Sequence, residues 1–348
     1  MVSFLPSPLT DTLVMTNVSK LSALPVLNGP KEIVYAPPSR GSYFYITTAD
    51  AGYKVEADAF YWQPGYNLKY ECFFDYGANF TPNYVKNVTS SGNFMLNYGK
   101  NFYYYSQVTT GGYGLPINRV AGENYDFDAS PYLGNAYPNS QVILFDKTNK
   151  RFVRWADPAV NCAAIPEPDT AKNQVFLFTY KTPKDLLYMT SNHINNSTNA
   201  VMKDPDSVHV YNFTITASSS GQNFDRHITS TDIMQADRFA FNPEFGYMFY
   251  TVGSKVYEVS MDAPSVSKLV ADFGSRKITV FKFHPFKSYN RYATQGKCLM
   301  IAAYDPALPA ESCGSLYQYS VPGLFGNPVL IKSWSGFGKI ASFTYRER

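Results

Sequence analysis

One unit recurs along the chain and restricts its fold more than any other feature. A short apolar strand is followed by a polar loop, a Gly or Ser, and a second strand often ending in Tyr, Phe or Val. The copies are Ile33–Ala36 with Gly41–Ile46, Phe94–Tyr98 with Gly99–Tyr105, and Tyr132–Gly134 with Ser140–Asp146. They continue as Leu186–Met189 with Ser207–Phe213, Tyr247–Thr251 with Gly253–Val259, and Leu299–Tyr304 with Gly314–Tyr319. In the fourth copy the two strands flank a stretch, Ser191 to Asp206, that reads as a long polar loop. Second strands begin near residues 43, 102, 142, 208, 256 and 316. That spacing averages about 55 residues, close to the roughly 40 to 50 of a four-stranded propeller blade plus loop insertions.

Helical periodicity is almost absent. No stretch of twelve residues sustains an i, i+3, i+4 apolar stripe with usable caps, and only Thr182–Met189 leaves room for one helical turn. An all-β chain this long must deal with its sheet edges. A ring of blades does so, whereas a large sandwich rarely repeats one unit at similar spacing. The expected fold is therefore an all-β propeller of six, or seven, four-stranded blades. Residues 1–20 read as an N-terminal linker and 21–348 as one propeller domain. The apolar run Lys339–Tyr345 is left over after the sixth unit and is placed to complete the first blade and close the ring.

Composition agrees with blades packed side by side. The 348 residues include 26 Phe, 29 Tyr and 3 Trp, so aromatics reach 17%, while charged residues fall to 16%. Such a chain cannot be disordered, and most of its rings should fill the spaces between blades. A net charge of +3 provides no field for gathering nucleic acid. No apolar run approaches about 18 residues, so no helix is expected to span a bilayer. The opening MVSFLPSPLT lacks a basic n-region and an unbroken apolar core and does not read as a signal peptide. Four cysteines form no CxxC; buried free thiols are expected, although Cys298 and Cys313 could face each other across a hairpin.

Catalytic signatures are missing. His193, His209, His227 and His284 form no HExxH pair, and no Gly-x-Ser-x-Gly elbow or P-loop occurs. Asp126 and Asp128 read as a polar turn, so neither metal nor cofactor is expected. Paired carboxylates for glycoside hydrolysis need proximity in space rather than in sequence. Glu56, Asp58, Glu71, Asp75, Glu123 and Asp237 are the candidates for that alternative, a hydrolase or lyase with carboxylates in the central channel. The preferred expectation is a non-enzymatic binding module using loops on one propeller face. The loop residues Tyr137, His193, Asn195, Tyr304 and Asp305 carry it, with Trp62 from a second aromatic cluster, because ring faces and amides suit carbohydrate.

The segments Gly114–Asn118 (GLPIN), Ser130-Pro131 and Phe145–Phe152 (FDKTNKRF), with the ending Gly336–Tyr345, carry a family resemblance. Over residues 20 to 348 the chain resembles the Bacteroidetes PKD-like lipoproteins encoded beside Sus-type outer-membrane uptake pairs. The resemblance implies a propeller at the outer membrane surface or in the periplasm, with a lipid anchor in the full-length precursor. Its implied partners are glycan or outer-membrane uptake proteins, and it supplies no catalytic residues.

Overall fold

In the computed structural model, described residues are 19, 22–35, 41–77, 79–88, 94–105, 111–136, 141–157, 159–172, 174–192, 194–216, 219–283 and 297–346. They form six antiparallel sheets arranged as the blades of a propeller. Blade 1 holds β1 (Glu32–Tyr35), β2 (Tyr43–Thr47) and β3 (Gly52–Glu56). Blade 2 holds β4 (Tyr84–Asn87), β5 (Phe94–Tyr98), β6 (Asn101–Tyr105) and β7 (Tyr113–Pro116). Blade 3 holds β8 (Gly134–Ala136), β9 (Gln141–Asp146), β10 (Arg151–Ala156) and β11 (Ala163–Ala164). Blade 4 holds β12 (Asp185–Asn192), β13 (Ser197–Lys203), β14 (Val208–Ile215) and β15 (Ser220–Ile228). Blade 5 holds β16 (Arg238–Phe241), β17 (Tyr247–Val252), β18 (Lys255–Ser260) and β19 (Ala263–Asp272). Blade 6 holds β20 (Lys277–Phe283), β21 (Cys298–Tyr304), β22 (Gly314–Ser320) and β23 (Val329–Phe337).

The second strand of every repeated pair lies within two residues of its expected start, at Tyr43, Asn101, Gln141, Val208, Lys255 and Gly314. The reason is burial. Middle strands are covered on both faces by neighbouring blades, so they read as continuous apolar runs; every residue of β9 is buried. Outermost strands are half solvated, and β19 has no buried residue along its length. Two expectations fail in blade 4. The stretch Ser191–Asp206 is no loop, since it contains the end of β12 and all of β13. Residues of the expected helical turn Thr182–Met189 instead enter β12, and short 3-10 turns lie elsewhere, as at Pro64–Tyr66 and Ile233–Gln235.

Ring closure is also achieved differently from the expected extra strand. Blade 1 has three strands, and residues 338–346 lie beside it without regular strand structure. Thr344 Oγ1 accepts the Tyr35 backbone N–H at 3.1 Å, taking the place of a ladder carbonyl. Lys282 of β20 donates to Phe343 O at 2.7 Å and lies 3.5 Å from Glu32 of β1. Ile340 and Phe343 pack on the blade 6 cluster around Trp334 and Phe337. The C-terminal segment thus ties blade 6 to blade 1 with side chains.

Aromatic rings fill the seams, as the composition implied. Between blades 3 and 4, Phe178 stacks on Tyr211 with centroids 4.1 Å apart, beside Phe145, Phe152 and Phe213. Between blades 2 and 3, Trp155 is fully buried 4.3 Å from the Tyr104 ring and donates to Ala159 O at 2.7 Å. Asn118, last residue of the GLPIN segment, is equally structural: its amide donates to Phe127 O and accepts from Phe102 N.

All four cysteines are free. Cys298 pairs in register with Ser320, whereas Cys313 adjoins Gly314, which pairs with Tyr304. The two thiols sit at opposite ends of the hairpin and cannot bridge. Asp126 and Asp128, read as a polar turn, each hold a cation: Arg119 at 2.8 Å and Lys147 at 3.0 Å.

One buried charge yields a pH prediction. Glu258 on β18 is fully buried, with Lys268 Nζ 3.3 Å away and no other donor to its carboxylate among the described residues. Desolvation raises its pKa, and Lys268 offsets this only partly. A carboxyl raised in the folded state contributes stability that is present below its ordinary pKa and lost as pH rises through the folded value. Glu258→Gln, neutral throughout, should raise Tm near neutral pH, and the gain should shrink as pH falls toward about 4.3. Thermal melts of both proteins across that range check this; a gain that grows on acidification contradicts it.

Candidate functional site

The face of blade 4 that packs on blade 5 is apolar along most of its length and polar at one end. Val201, Val208 and Val210 meet Phe239, Met248 and Tyr250 in the seam. Two residues further along the same pleat, β13 carries Asn199 and then Ser197, while β14 carries Asn212 and then Thr214. Asn199 and Asn212 are direct cross-strand partners. On β15 the register slips beside Asn212, leaving Asn223 as the additional residue of a bulge, a device that re-aims a side chain. Polar groups thus collect where the blades part, and a cavity of about 390 Å³ opens there.

Its polar wall is a relay of amides. Asn223 Nδ2 donates to Asn212 Oδ1 at 2.6 Å; Asn212 Nδ2 donates to Asn199 Oδ1 at 2.6 Å and to Ser197 Oγ at 3.0 Å. Ser197 Oγ in turn donates to Asn195 Oδ1 at 2.7 Å. Apolar and aromatic side chains complete the lining: Phe224 from blade 4, and Phe241, Phe245, Tyr247 and Met261 from blade 5. Asn242, also from blade 5, is only 2% exposed, and its Nδ2 has no hydrogen-bond partner among the described residues. One carboxylate, Glu244, reaches the lining, and Lys297 neutralises it at 2.5 Å. This is a neutral, amide-rich pocket with rings on one side.

The sequence-expected residues are not gathered into one site. Asn195 lies in the exposed turn between β12 and β13 and lines the cavity. Tyr304 and Asp305 lie at the β21–β22 connection, on the opposite face of the ring, because Tyr304 pairs with Lys277 at the start of β20. Lys339 lies over the Tyr304 ring at 5.2 Å, and the Asp305 carboxylate caps its own turn through Ala307 N. Trp62 packs on Tyr53 beside blade 1, with its indole nitrogen buried. Tyr137 and His193 lie outside the described residues, as does His284.

The carboxylates considered for hydrolysis are engaged locally and line neither cavity. Glu71 pairs with Lys54, Glu123 with Arg151, and Asp237 accepts from Thr251. Glu56 accepts from Asp58 N and Ala59 N, and Asp75 from Gly77 N. Asp58 meets Arg346. A second, smaller cavity of about 160 Å³ lies on blade 3, lined by Arg154 and Asn161 and without an acid. On blade 4, His209 Nδ1 lies 2.8 Å from Asp225 and its ring stacks on His227. Among the described residues no three His, Cys, Asp or Glu are placed to share a metal ion.

Sequence reading missed Asn192, Asn199, Asn212, Asn223, Asn242 and Glu244. A signal was present, since Asn is depleted from strands and four of these occupy strand positions.

No family model matches the chain, and no curated protein matches it. Solved structures of similar shape do exist. The Dos1 propeller shares 10% identity, covers 90% of this chain and 72% of its own, with a TM-score of 0.53. The extracellular domain of a B. thetaiotaomicron protein assigned as a one-component system shares 8% identity at TM-score 0.51, covering 95% of this chain and 43% of that one. A Bacteroides uniformis protein assigned as a 6-phosphogluconolactonase shares 11% identity at TM-score 0.51, covering 88% and 85%. Proteins with such different descriptions share the ring, so the likeness establishes the fold and leaves function to the site.

Proposed function

We propose that this propeller is a non-enzymatic binding module of the bacterial envelope that recognises glycan through the cavity between blades 4 and 5. The observation that carries this reading is the lining: six asparagines and a set of aromatic and apolar side chains around one neutralised carboxylate. Amides supply paired donors and acceptors for hydroxyl groups, and rings supply faces for sugar C–H surfaces. A cavity of about 390 Å³ lies within the range of small-molecule sites, roughly 300 to 1,000 Å³. Hydrolysis by the usual route needs two carboxyl groups about 5 to 10 Å apart. Among the described residues only Glu244 reaches this cavity, and it is paired.

The envelope location, the lipid anchor in a full-length precursor and the role beside a Sus-type uptake pair rest on the family resemblance of the GLPIN, Ser-Pro and FDKTNKRF segments. Affinity electrophoresis of the protein through a panel of polysaccharide gels tests the binding role. Retardation by at least one polysaccharide is expected. Free migration in every gel, together with tight capture by the outer-membrane uptake proteins, would replace glycan recognition with a scaffolding role.

A further inference from the structure

The amides of the cavity are not free to present either end. A backbone N–H can only donate, so the side-chain atom it bonds must be the oxygen. Asn192 Oδ1 accepts Ile194 N at 2.9 Å, and Asn195 Oδ1 accepts Ser197 N at 3.1 Å. Asn242 Oδ1 accepts both Glu244 N at 2.9 Å and Phe245 N at 2.8 Å. Three amides on two different blades are thereby fixed in orientation, each with its oxygen spent on the backbone. The ends left for the cavity are the three Nδ2 groups, and that of Asn242 is buried with no partner among the described residues. An unpaired buried donor costs about 1 to 3 kcal/mol, a cost a ligand acceptor can relieve.

The remaining features set the rest of the ligand. Side-chain acceptors of the lining include the Glu244 carboxylate, the oxygen of Asn223, whose nitrogen is bonded to Asn212, and the hydroxyls of Ser197 and Thr214. Met261, Phe224 and Phe241 supply an apolar wall. The cavity therefore asks for a carbonyl oxygen, at least one N–H and a small apolar group in one compact unit. Resting on the glycan-binding reading above, we propose that the pocket recognises a 2-acetamido sugar. The acetamido carbonyl would accept from the Asn242 and neighbouring Nδ2 groups, its N–H would donate to Glu244 or Asn223, and its methyl would meet the apolar wall. A uronic acid is a poorer match, because its carboxylate would face Glu244 and bring no donor beyond its hydroxyls.

The test is calorimetric titration of the intact protein with N-acetylglucosamine and N-acetylgalactosamine oligosaccharides, against glucose, glucosamine and glucuronate oligosaccharides. Acetamido ligands should bind about tenfold or more tightly than their non-acetylated counterparts. Asn242→Ser keeps a side-chain oxygen able to accept from the 244 and 245 N–H groups and withdraws the Nδ2 donor without adding a charge. It should melt cooperatively and lose about tenfold in acetamido affinity. Glucose or glucuronate oligosaccharides binding as well as acetamido ones, with binding reduced by Asn242→Ser, would overturn the acetamido assignment and leave the glycan pocket standing. Acetamido binding that Asn242→Ser does not alter would overturn the assignment of this pocket. No binding of any of these sugars would overturn both, provided the polysaccharide panel is also negative.

Discussion

Arg151→Met should destabilise the protein by about 3 to 5 kcal/mol. Arg151 begins β10 and lies across the tight hairpin from Asp146, whose side chain is wholly buried. Its Nε is 2.9 Å from Asp146 Oδ2, and its Nη2 bonds both oxygens of Glu123 at 2.6 Å. These hydrogen bonds outweigh burial, which acts the other way, and hold the guanidinium pKa above its ordinary value. Methionine fills the space but leaves the Asp146 carboxylate stranded, with only Asn149 among the described residues to hydrogen-bond its side chain. Chemical denaturation measures the loss. Adding Asp146→Asn to Arg151→Met should recover part of it, because the stranded charge is gone. A loss below about 1 kcal/mol would mean that the pair behaves as a surface ion pair.

Trp155→Ala, made alone, should cost about 3 to 5 kcal/mol. The indole is fully buried between blades 2 and 3, against Tyr104, and its N–H satisfies Ala159 O. Alanine opens a cavity in the seam and orphans that carbonyl. Trp155→Phe keeps most of the ring and loses the hydrogen bond, so it should cost much less than alanine, about 1 to 3 kcal/mol. Equal costs for Phe and Ala would show that packing across this seam contributes little.

The fold was legible because of where its strands sit. Middle strands such as QVILFD and YMFYTV are covered on both sides, so their sequences are apolar throughout and bounded by turn residues. Rings placed between blades explain the aromatic excess without invoking a ligand. Closure of the ring was legible in place but not in form: the IASFTY stretch has the residues of a strand, yet Thr344 meets Tyr35 through its hydroxyl. The hairpin in blade 4 was hidden because SNHINNSTN is polar, and polar runs in sequence look like loops.

Most of the candidate site was illegible for the same reason. Asn199, Asn212 and Asn223 are brought together by strand register and by one bulge, neither of which any local motif announces. Asn242 and Glu244 come from another blade altogether. Only Asn195 was singled out from sequence and reached the cavity. Of the aromatic residues expected to bind, Trp62 lies on blade 1 and Tyr304 on the opposite face, so neither lines this pocket.

Hydrogen exchange measured by mass spectrometry, with and without a saturating N-acetylglucosamine oligosaccharide or the best-retained panel glycan, bears most directly on the pocket. Protection should appear in peptides spanning 192–199, 212–223 and 241–247, from two neighbouring blades at once. Protection confined to 57–71 or 305–313, with no change at blades 4 and 5, would contradict the assignment of the ligand site.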